Sequence, residues 1–340
     1  MTAYGYSEIS LLNFTEFADT TERRFYEGAD LVNDLADVKS LYMVENVPAN
    51  TGDRRIYDEI EGETYAKLKG EGEDAEKTAV IKGYSKTMIN RRFGCEIDIT
   101  YEARSYGKNQ EILRKLTSLA TFVPQRMALD LTHRFSFMTA TSYTDLDGTT
   151  VDTDMGDDFA LVYSAHTLTG SGDDYSNVVT GNPAFSQGGL EVAMGVANTQ
   201  MLSNFGERRV YNFNTIVTGD DPATVRAVRE LLNSTADITQ NNSGVVNTYK
   251  GMFKHVVLPR LATTATGAYD STKAKYWLLV ANGEWEGHLG VWEAANLKKP
   301  ASGNNGEDLH NDNWTYGARG GYGICVVSGK GLVGSTGVGA

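Results

Sequence analysis

The longest periodic segment of the chain, residues 109–138, predicts one long amphipathic helix. Asn109 is a suitable N-cap and Glu111 places an acid in the first turn. Pro124 lies inside the segment and is expected to kink or divide the helix. At about 1.5 Å per residue such a helix would reach roughly 45 Å, so the rest of the fold must be arranged along it. One apolar stripe recurs at intervals of three and four, formed by Ile112, Leu116, Leu119, Val123, Met127 and Leu131.

A second constraint is the segment KLKGEGEDAEK, residues 67–77, which is too charged to be buried. Strand-like patterns flank it: Ile56, Ile60 and Tyr65 lead into it, and VIKGYSKTMI follows it from Val80. Residues 96–101 then alternate between apolar and polar, as a half-buried strand does. Glycines and acids at a turn are typical of a hairpin tip. The sequence therefore predicts a long hairpin whose charged tip projects away from the core.

The remaining elements indicate an α+β protein. A helix is predicted over 185–202, and another begins where Asp221 can act as N-cap before Pro222. Strands are predicted over 159–163, 214–219, 253–259 and 276–280, with one or two more near the C-terminus. The order lacks the regular βαβ alternation of a doubly wound sheet. Residues 1 to about 50, with weak helical spacing at 16–36, are expected to form an arm that packs on the rest of the chain or on a neighbour.

Composition narrows the class of protein. The chain has 340 residues, of which 41% are hydrophobic and 22% charged, which is typical of a folded globular protein. Its 31 basic and 44 acidic residues give a net charge of −13, which argues against a protein that grips nucleic acid. No signal-peptide pattern and no long apolar run is visible, so a soluble cytoplasmic protein is expected.

Two motifs resemble ligand sites but lack the required context. The segment GKGLVG, 329–334, matches a dinucleotide fingerprint by letter, yet too few residues follow for the necessary helix, so a flexible tail is expected. An acidic cluster lacks the spacing of a calcium loop and is expected to be a solvated loop. Its members are Asp145, Asp147, Asp152, Asp154, Asp157 and Asp158.

No residue is predicted to be catalytic, to hold a cofactor or to bind a metal. The five histidines form no metal-binding or catalytic motif. Cys95 and Cys325 are far apart and are expected to be free buried thiols. The four tryptophans, Trp277, Trp285, Trp292 and Trp314, are expected to be core or subunit-interface anchors. The chain is therefore not predicted to be an enzyme.

The order of arm, charged hairpin, long helix and α+β body resembles phage major capsid proteins of the HK97-like fold, particularly the major head subunits of Mu-like phages. Segment 66–101 looks like the family's extended loop and return strand, and the helix from Asn109 looks like its spine helix. Segments 157–172 and 185–200, the strand and helix of 214–232, and the strand at Phe253 follow in family order.

The resemblance implies an α+β HK97-like fold with four parts. These are an N-terminal arm at 1–52, an extended loop at 53–101, a peripheral domain at 102–204 and 312–340 with the spine helix at about 109–138, and an axial domain at 205–311. It also implies a major capsid protein that assembles as hexamers and pentamers into an icosahedral head around double-stranded DNA, without sequence-specific binding. The location would be the virion, after assembly in the host bacterial cytoplasm.

The implied partners are further copies of the chain, a separate scaffolding protein and a portal, with a decoration protein left open and no membrane. Two alternatives remain: an encapsulin-like compartment shell that packages cargo protein, and an acidic enzyme with a lid-like hairpin. Charged residues of the loop are the candidates for contacts between subunits. They are Lys67, Lys69, Glu71, Glu73, Asp74, Glu76, Lys77, Lys82, Lys86, Arg91 and Arg92.

Overall fold

The computed structural model describes residues 22–23, 25–26, 32–48, 50–106, 108–236, 246–300 and 312–339. The predicted α+β class is confirmed. The α-helices are α1 (Asn33–Lys39), α2 (Tyr101–Ser105), α3 (Asn109–Ser136), α4 (Gln187–Thr199) and α5 (Pro222–Asn233). The strands are β1 (Met43–Asn46), β2 (Arg54–Gly62), β3 (Val80–Ile89), β4 (Arg91–Ile99), β5 (Ser142–Thr144), β6 (Thr150–Asp152), β7 (His166–Thr167), β8 (Asp174–Tyr175), β9 (Thr215–Thr218), β10 (Lys254–Val257), β11 (Trp277–Val280), β12 (Gly287–Lys298), β13 (Trp314–Val326) and β14 (Leu332–Ser335).

Helix α3 is the predicted long helix, and it runs unbroken through Pro124. The expected division at that proline is wrong because apolar contacts hold the helix on both sides of it: Leu116 and Leu131 are fully buried in different clusters. Proline removes one backbone hydrogen bond, which such tertiary packing offsets. The N-cap is Lys108, one residue before the predicted Asn109, and it provides no side-chain hydrogen bond.

Two four-stranded sheets form the body around α3. The first has the order β1–β12–β13–β4, with β12, β13 and β4 antiparallel and β1 parallel to β12. Trp314 and Tyr316 of β13 pack with the N-terminal half of α3. The second sheet has the order β10–β9–β11–β14, and its inner strands β9 and β11 are buried along their whole length.

The predictions for the second sheet are confirmed at its two inner strands, at β10 and at helix α5. Asp221 is the N-cap of α5: its carboxylate accepts a hydrogen bond of 2.9 Å from the Thr224 amide, and Pro222 occupies the first turn. Helix α4 lies within the predicted range of 185–202, and its N-cap Ser186 accepts a hydrogen bond from the Gly189 amide. Leu190 of α4 and Val228 of α5 pack on this sheet.

Two expectations from the sequence are wrong. The glycine-rich segment 329–334 is not a flexible tail: it leads into β14, where Leu332 and Val333 are buried and pair with β11. Residues 159–163 do not form a strand, although 160–162 are buried. The side chain of Asn177 serves their backbone instead, donating to the Leu161 carbonyl at 2.7 Å and accepting from the Tyr163 amide at 2.8 Å.

The described part of the N-terminal arm packs on its own chain. Strand β1 joins the first sheet, and Leu41 and Tyr42 enter the core beside α3. Phe25 is fully buried in the cluster around Leu116 and Leu119. Most of the segment 16–36, where helical spacing is weak, lies outside the described residues.

Candidate assembly site: the charged hairpin and its root

Strands β2 and β3 form the predicted hairpin. They pair antiparallel from Arg54–Ile89 at the root to Gly62–Val80, and residues 63–79 connect them without regular structure. The tip turns at Gly72, whose φ of +79° favours glycine. Leu68 in the tip is 100% exposed. The return strand β4 leaves the hairpin and pairs with β13 in the body.

The outer face of the hairpin exposes large apolar side chains among charged ones. Ile56 and Ile60 of β2 are 68% and 70% exposed, and Val80 and Ile89 of β3 are exposed as well. The pairing register, with its irregularity between Asp58 and Ile60, places these side chains on one face. Arg54 also lies on this face, as do Asp58 and Lys82, which pair with each other at 2.9 Å. Exposed large apolar side chains concentrated on one face make it a candidate interaction surface.

The inner face of the hairpin, by contrast, buries charge. Glu59 and Glu61, which alternate with Ile60, are only 4% and 6% exposed. Lys330 Nζ donates to Glu59 Oε1 at 2.8 Å, to Glu61 Oε2 at 3.1 Å and to Asn204 Oδ1 at 3.1 Å. Glu61 also accepts hydrogen bonds from the backbone amide of Asn204, at 2.7 Å, and from the side chain of Arg209. We call these five residues the root cluster.

The root cluster sets the ionisation of Glu61. Burial alone would raise the pKa of Glu61, but the charge of Lys330 and the hydrogen bonds from Asn204, Lys330 and Arg209 hold it below its ordinary value. Nearby Glu286 shows the opposite shift: burial and the charge of Glu59 raise its pKa. Glu61 is therefore held as a carboxylate.

Lys86 makes a second attachment of the hairpin to the body. Its ammonium contacts Asp154 and Asp152, the latter at 3.4 Å, beside β6. Burial and the hydrogen bond with Asp152 raise the pKa of Asp154 to about 6, while the pKa of Asp152 is lowered. A cavity of about 330 Å³ lies between these groups and β13.

The sequence predicts a solvated loop for the acidic cluster, but several of its aspartates have partners within the fold. Asp145 is buried between Arg126 and Arg91, and Arg126 also pairs with Asp147 at 3.4 Å. Asp157 lies 2.7 Å from Nδ1 of the buried His166. These aspartates are structural because each meets a cation or hydrogen-bond donor that the local sequence does not reveal.

A third attachment joins β2 to β1. Glu45 of β1 accepts a hydrogen bond of 2.7 Å from the Tyr57 hydroxyl and pairs with Arg55. The ring of Tyr57 stacks on His288 of β12, with ring centroids 4.1 Å apart.

The predicted contact residues fall into two groups. The members at the tip are all exposed: Lys67, Lys69, Glu71, Glu73, Asp74, Glu76 and Lys77. The members along the strands mostly have partners in their own chain, namely Lys82 with Asp58, Lys86 with Asp152 and Asp154, and Arg91 with Asp145, while Arg92 is exposed. Contacts of any of them with another subunit stay a prediction.

Sequence reasoning missed the root cluster. The alternation in DEIEGE, residues 58–63, was visible, but an apolar Ile56 and Ile60 would ordinarily face the core. The structure reverses this orientation and places the acids inside. Only the position of Lys330, 271 residues further along the chain than Glu59, reveals why.

The remaining residues considered as possible ligands or anchors are the metal-ligating side chains, the cysteines and the tryptophans. Among the residues that the structure describes, no group of three or more His, Cys, Asp and Glu side chains could hold a metal ion. Cys325 is a buried free thiol and Cys95 a half-buried one. Trp277 and Trp285 are fully buried core residues. Over the same described ranges, no helix combines the length and apolar character needed to cross a membrane.

Comparison with known proteins finds likeness in structure alone. Neither a protein-family model nor a curated protein sequence matches the chain. The capsid of Myoviridae phage XM1 aligns at 13% identity and a TM-score of 0.48, over 89% of this chain and 92% of that chain. The cyanophage P-SCSP1u capsid aligns at 12% identity and a TM-score of 0.49, over 86% and 85% of the two chains. A virus-like particle from Pyrococcus furiosus aligns at 12% identity and a TM-score of 0.47, over 93% and 98%.

Phage capsid proteins are thus among the structural neighbours of this chain, as the resemblance in its sequence implies, and a Mu-like subfamily is not distinguished. The identities lie below 25% and the TM-scores of these three alignments below 0.5.

Proposed function

We propose that this chain is a major capsid protein, a structural subunit that assembles with copies of itself into a closed shell. The observation that carries the proposal is the hairpin β2–β3, whose exposed isoleucines and charged tip are left uncovered by the chain's own body. A two-stranded hairpin is marginally stable by itself in water. Burial against a neighbour would remove Ile56, Ile60 and Leu68 from solvent.

The partner that fits this surface is a second copy of the chain. The tip carries both lysines and acids, and complementary charges across an interface set register and choice of partner. Contacts between unlike surfaces of identical subunits form rings when the rotation closes, which is the geometry of hexamers and pentamers. The hairpin of one subunit then lies across the body of the next, with the eleven predicted residues supplying candidate contacts.

Double-stranded phage DNA is the content that we propose for the shell. The net charge of −13 suits a container that does not hold its DNA tightly during packaging. The proposal includes an icosahedral head in the virion, assembly in the host cytoplasm, a separate scaffolding protein and a portal. The role is structural, without catalysis.

The first prediction tests the hairpin as the assembly element. Deleting Leu68–Glu76 should leave a folded subunit, because these residues are exposed, and should abolish or weaken shells seen by electron microscopy, with or without the scaffold. A matched control replaces the same residues by glycine and serine at equal length, which separates the reach of the loop from its charge. Normal shells from the deletion variant would contradict the proposal.

The content of purified particles separates the alternatives. Nuclease-protected DNA supports the phage capsid, whereas protein cargo without nucleic acid supports a compartment shell of the encapsulin type. A monomer under all conditions whose melting temperature rises with a small ligand would favour an enzyme and overturn both.

A further inference from the structure

The hairpin is attached to the body by three kinds of contact that change along its length. Nearest the body, Met88 packs with Cys325 and Val327, and the contacts of Tyr57 with Glu45 and of Lys86 with Asp154 lie beside this apolar cluster. Further out, the contacts are ionic and centre on Glu59, Glu61 and Lys330. Beyond Gly62 the tip is exposed, apart from a hydrogen bond of 2.8 Å from the Thr64 amide to Glu207.

The root cluster joins three segments that are distant in sequence. Strand β2 contributes the two glutamates, the turn after α4 contributes Asn204 and Arg209, and the loop before β14 contributes Lys330. Lys330 itself is 4% exposed, so both signs of charge are buried. Gly83 of β3 leaves the room for this: a Cβ there would overlap Glu59 Oε2 and lie 2.8 Å from Asn204 Nδ2.

Buried ion pairs differ from apolar contacts in what separation costs. Separating two apolar surfaces exposes both to water, and no other interaction offsets that cost in free energy. Separated ions, by contrast, regain their hydration, which offsets much of the lost electrostatic attraction. A buried ion-pair cluster therefore fixes the orientation of the two segments that it joins without adding much net stability. Removing one partner leaves the other charge buried and unpaired. The inner face of the hairpin is held mainly by such ion pairs, so it can separate from the body at a lower cost in free energy than an apolar face of the same size.

We propose that the Glu59–Glu61–Lys330 contact is a latch, and that the Met88 cluster, with the contacts of Tyr57 and Lys86 beside it, is the hinge about which the outer part of the hairpin swings when the latch opens. The latch sets the direction of the outer hairpin in the free subunit. Opening it lifts residues 59–62 of β2 and 80–83 of β3 while the two body sheets and α3 stay folded. This inference concerns the single chain and holds whether or not the chain builds a shell.

Hydrogen–deuterium exchange on the full-length, unassembled subunit tests the latch. Lys330→Met keeps a long side chain but leaves the two glutamates buried without their ammonium, so amides of residues 59–62 and 80–83 should exchange about 100-fold faster. Amides of α3 should keep their protection. The matched control is Arg54→Met, which removes an exposed cation from β2, the strand that carries the two glutamates; Arg54 lies 3.9 Å from Asp53. Its exchange should match that of the wild type.

A second variant keeps the test decisive if Lys330→Met does not fold. Glu59→Gln preserves shape and a hydrogen-bond acceptor but removes one charge of the latch, and should speed exchange in the hairpin about 10-fold. Hairpin exchange at the wild-type rate in the folded variants would overturn the latch. Equal acceleration in the hairpin and α3 would also overturn it, because the cluster would then support the whole body.

Discussion

Single glycines in this chain show how strongly a residue's role depends on what faces it. Gly83 and Gly195 both adopt ordinary backbone angles, with no positive φ. A Cβ at Gly83 would overlap Glu59 Oε2 in the root cluster, whereas a Cβ at Gly195, inside α4, would meet no atom within 4 Å. Replacement by alanine should therefore lower the free energy of unfolding at Gly83 and raise it at Gly195.

The residue-scale prediction compares Gly83→Ala with Gly195→Ala. Gly83→Ala should lower the free energy of unfolding by about 1–3 kcal/mol, because an added methyl displaces Glu59 from Lys330. Gly195→Ala should raise it by about 0.5–1 kcal/mol, because alanine loses less backbone entropy in a helix. Urea unfolding followed by circular dichroism measures both. Changes of the same sign would contradict the placement of Gly83 against Glu59.

At the scale of elements, helix α3 connects the clusters of the body. Its N-terminal half packs with Phe25 and Tyr316, and its C-terminal half packs with residues of both sheets, among them Val217 and Leu289. The buried stripe is continuous, although Phe122 on the opposite side is exposed. The N-terminal half of the helix is therefore held by packing on one face, whereas residues 127–133 of its C-terminal half are buried on all sides.

The element-scale prediction compares Leu116→Ala with Phe122→Ala. Leu116 is fully buried, so its truncation should cost about 2–5 kcal/mol of unfolding free energy through lost burial and the cavity left behind. Phe122 lies on the same helix with 44% of its surface exposed, and its truncation should cost less than about 1 kcal/mol. Thermal and urea unfolding check both. Equal costs would mean that the stripe does not face the core as described.

At the scale of the whole molecule, buried histidines make stability depend on pH. Burial lowers the pKa of His133, and that of His255, to about 4 in each case. Between their ordinary values near 6.5 and 4, the unfolded chain binds protons at these positions that the folded chain does not. Stability from this source therefore falls as the pH falls through that window. Asp154, with its pKa raised to about 6, acts in the opposite sense.

The whole-molecule prediction isolates His133 from the groups that oppose it. Protonation of His133 in the unfolded chain should lower the free energy of unfolding of the wild type by about 2 kcal/mol between pH 6.5 and pH 4.5. The variant His133→Asn should lack this contribution, so its loss over the same interval should be smaller by about that amount. Urea titrations at the two pH values measure it, and a variant with an undiminished loss would exclude His133 as a source.

The local features of the sequence determined most of the elements. The apolar stripe from Ile112 to Leu131 was enough to predict α3, and Asp221 followed by Pro222 was enough to predict the start of α5. Such signals are readable because helix periodicity and capping depend on residues close in sequence. The resemblance to capsid proteins likewise came from the order of these elements.

Tertiary structure alone decided which way the hairpin faces and where the C-terminus packs. By itself, β2 could bury either Ile60 or Glu59 and Glu61, since a strand offers two alternating faces. The position of Lys330 beside the glutamates selected the polar face and left the isoleucines outside. The glycine-rich end forms β14 because it pairs antiparallel with β11. Both outcomes depend on partners far away in sequence, which no local periodicity records.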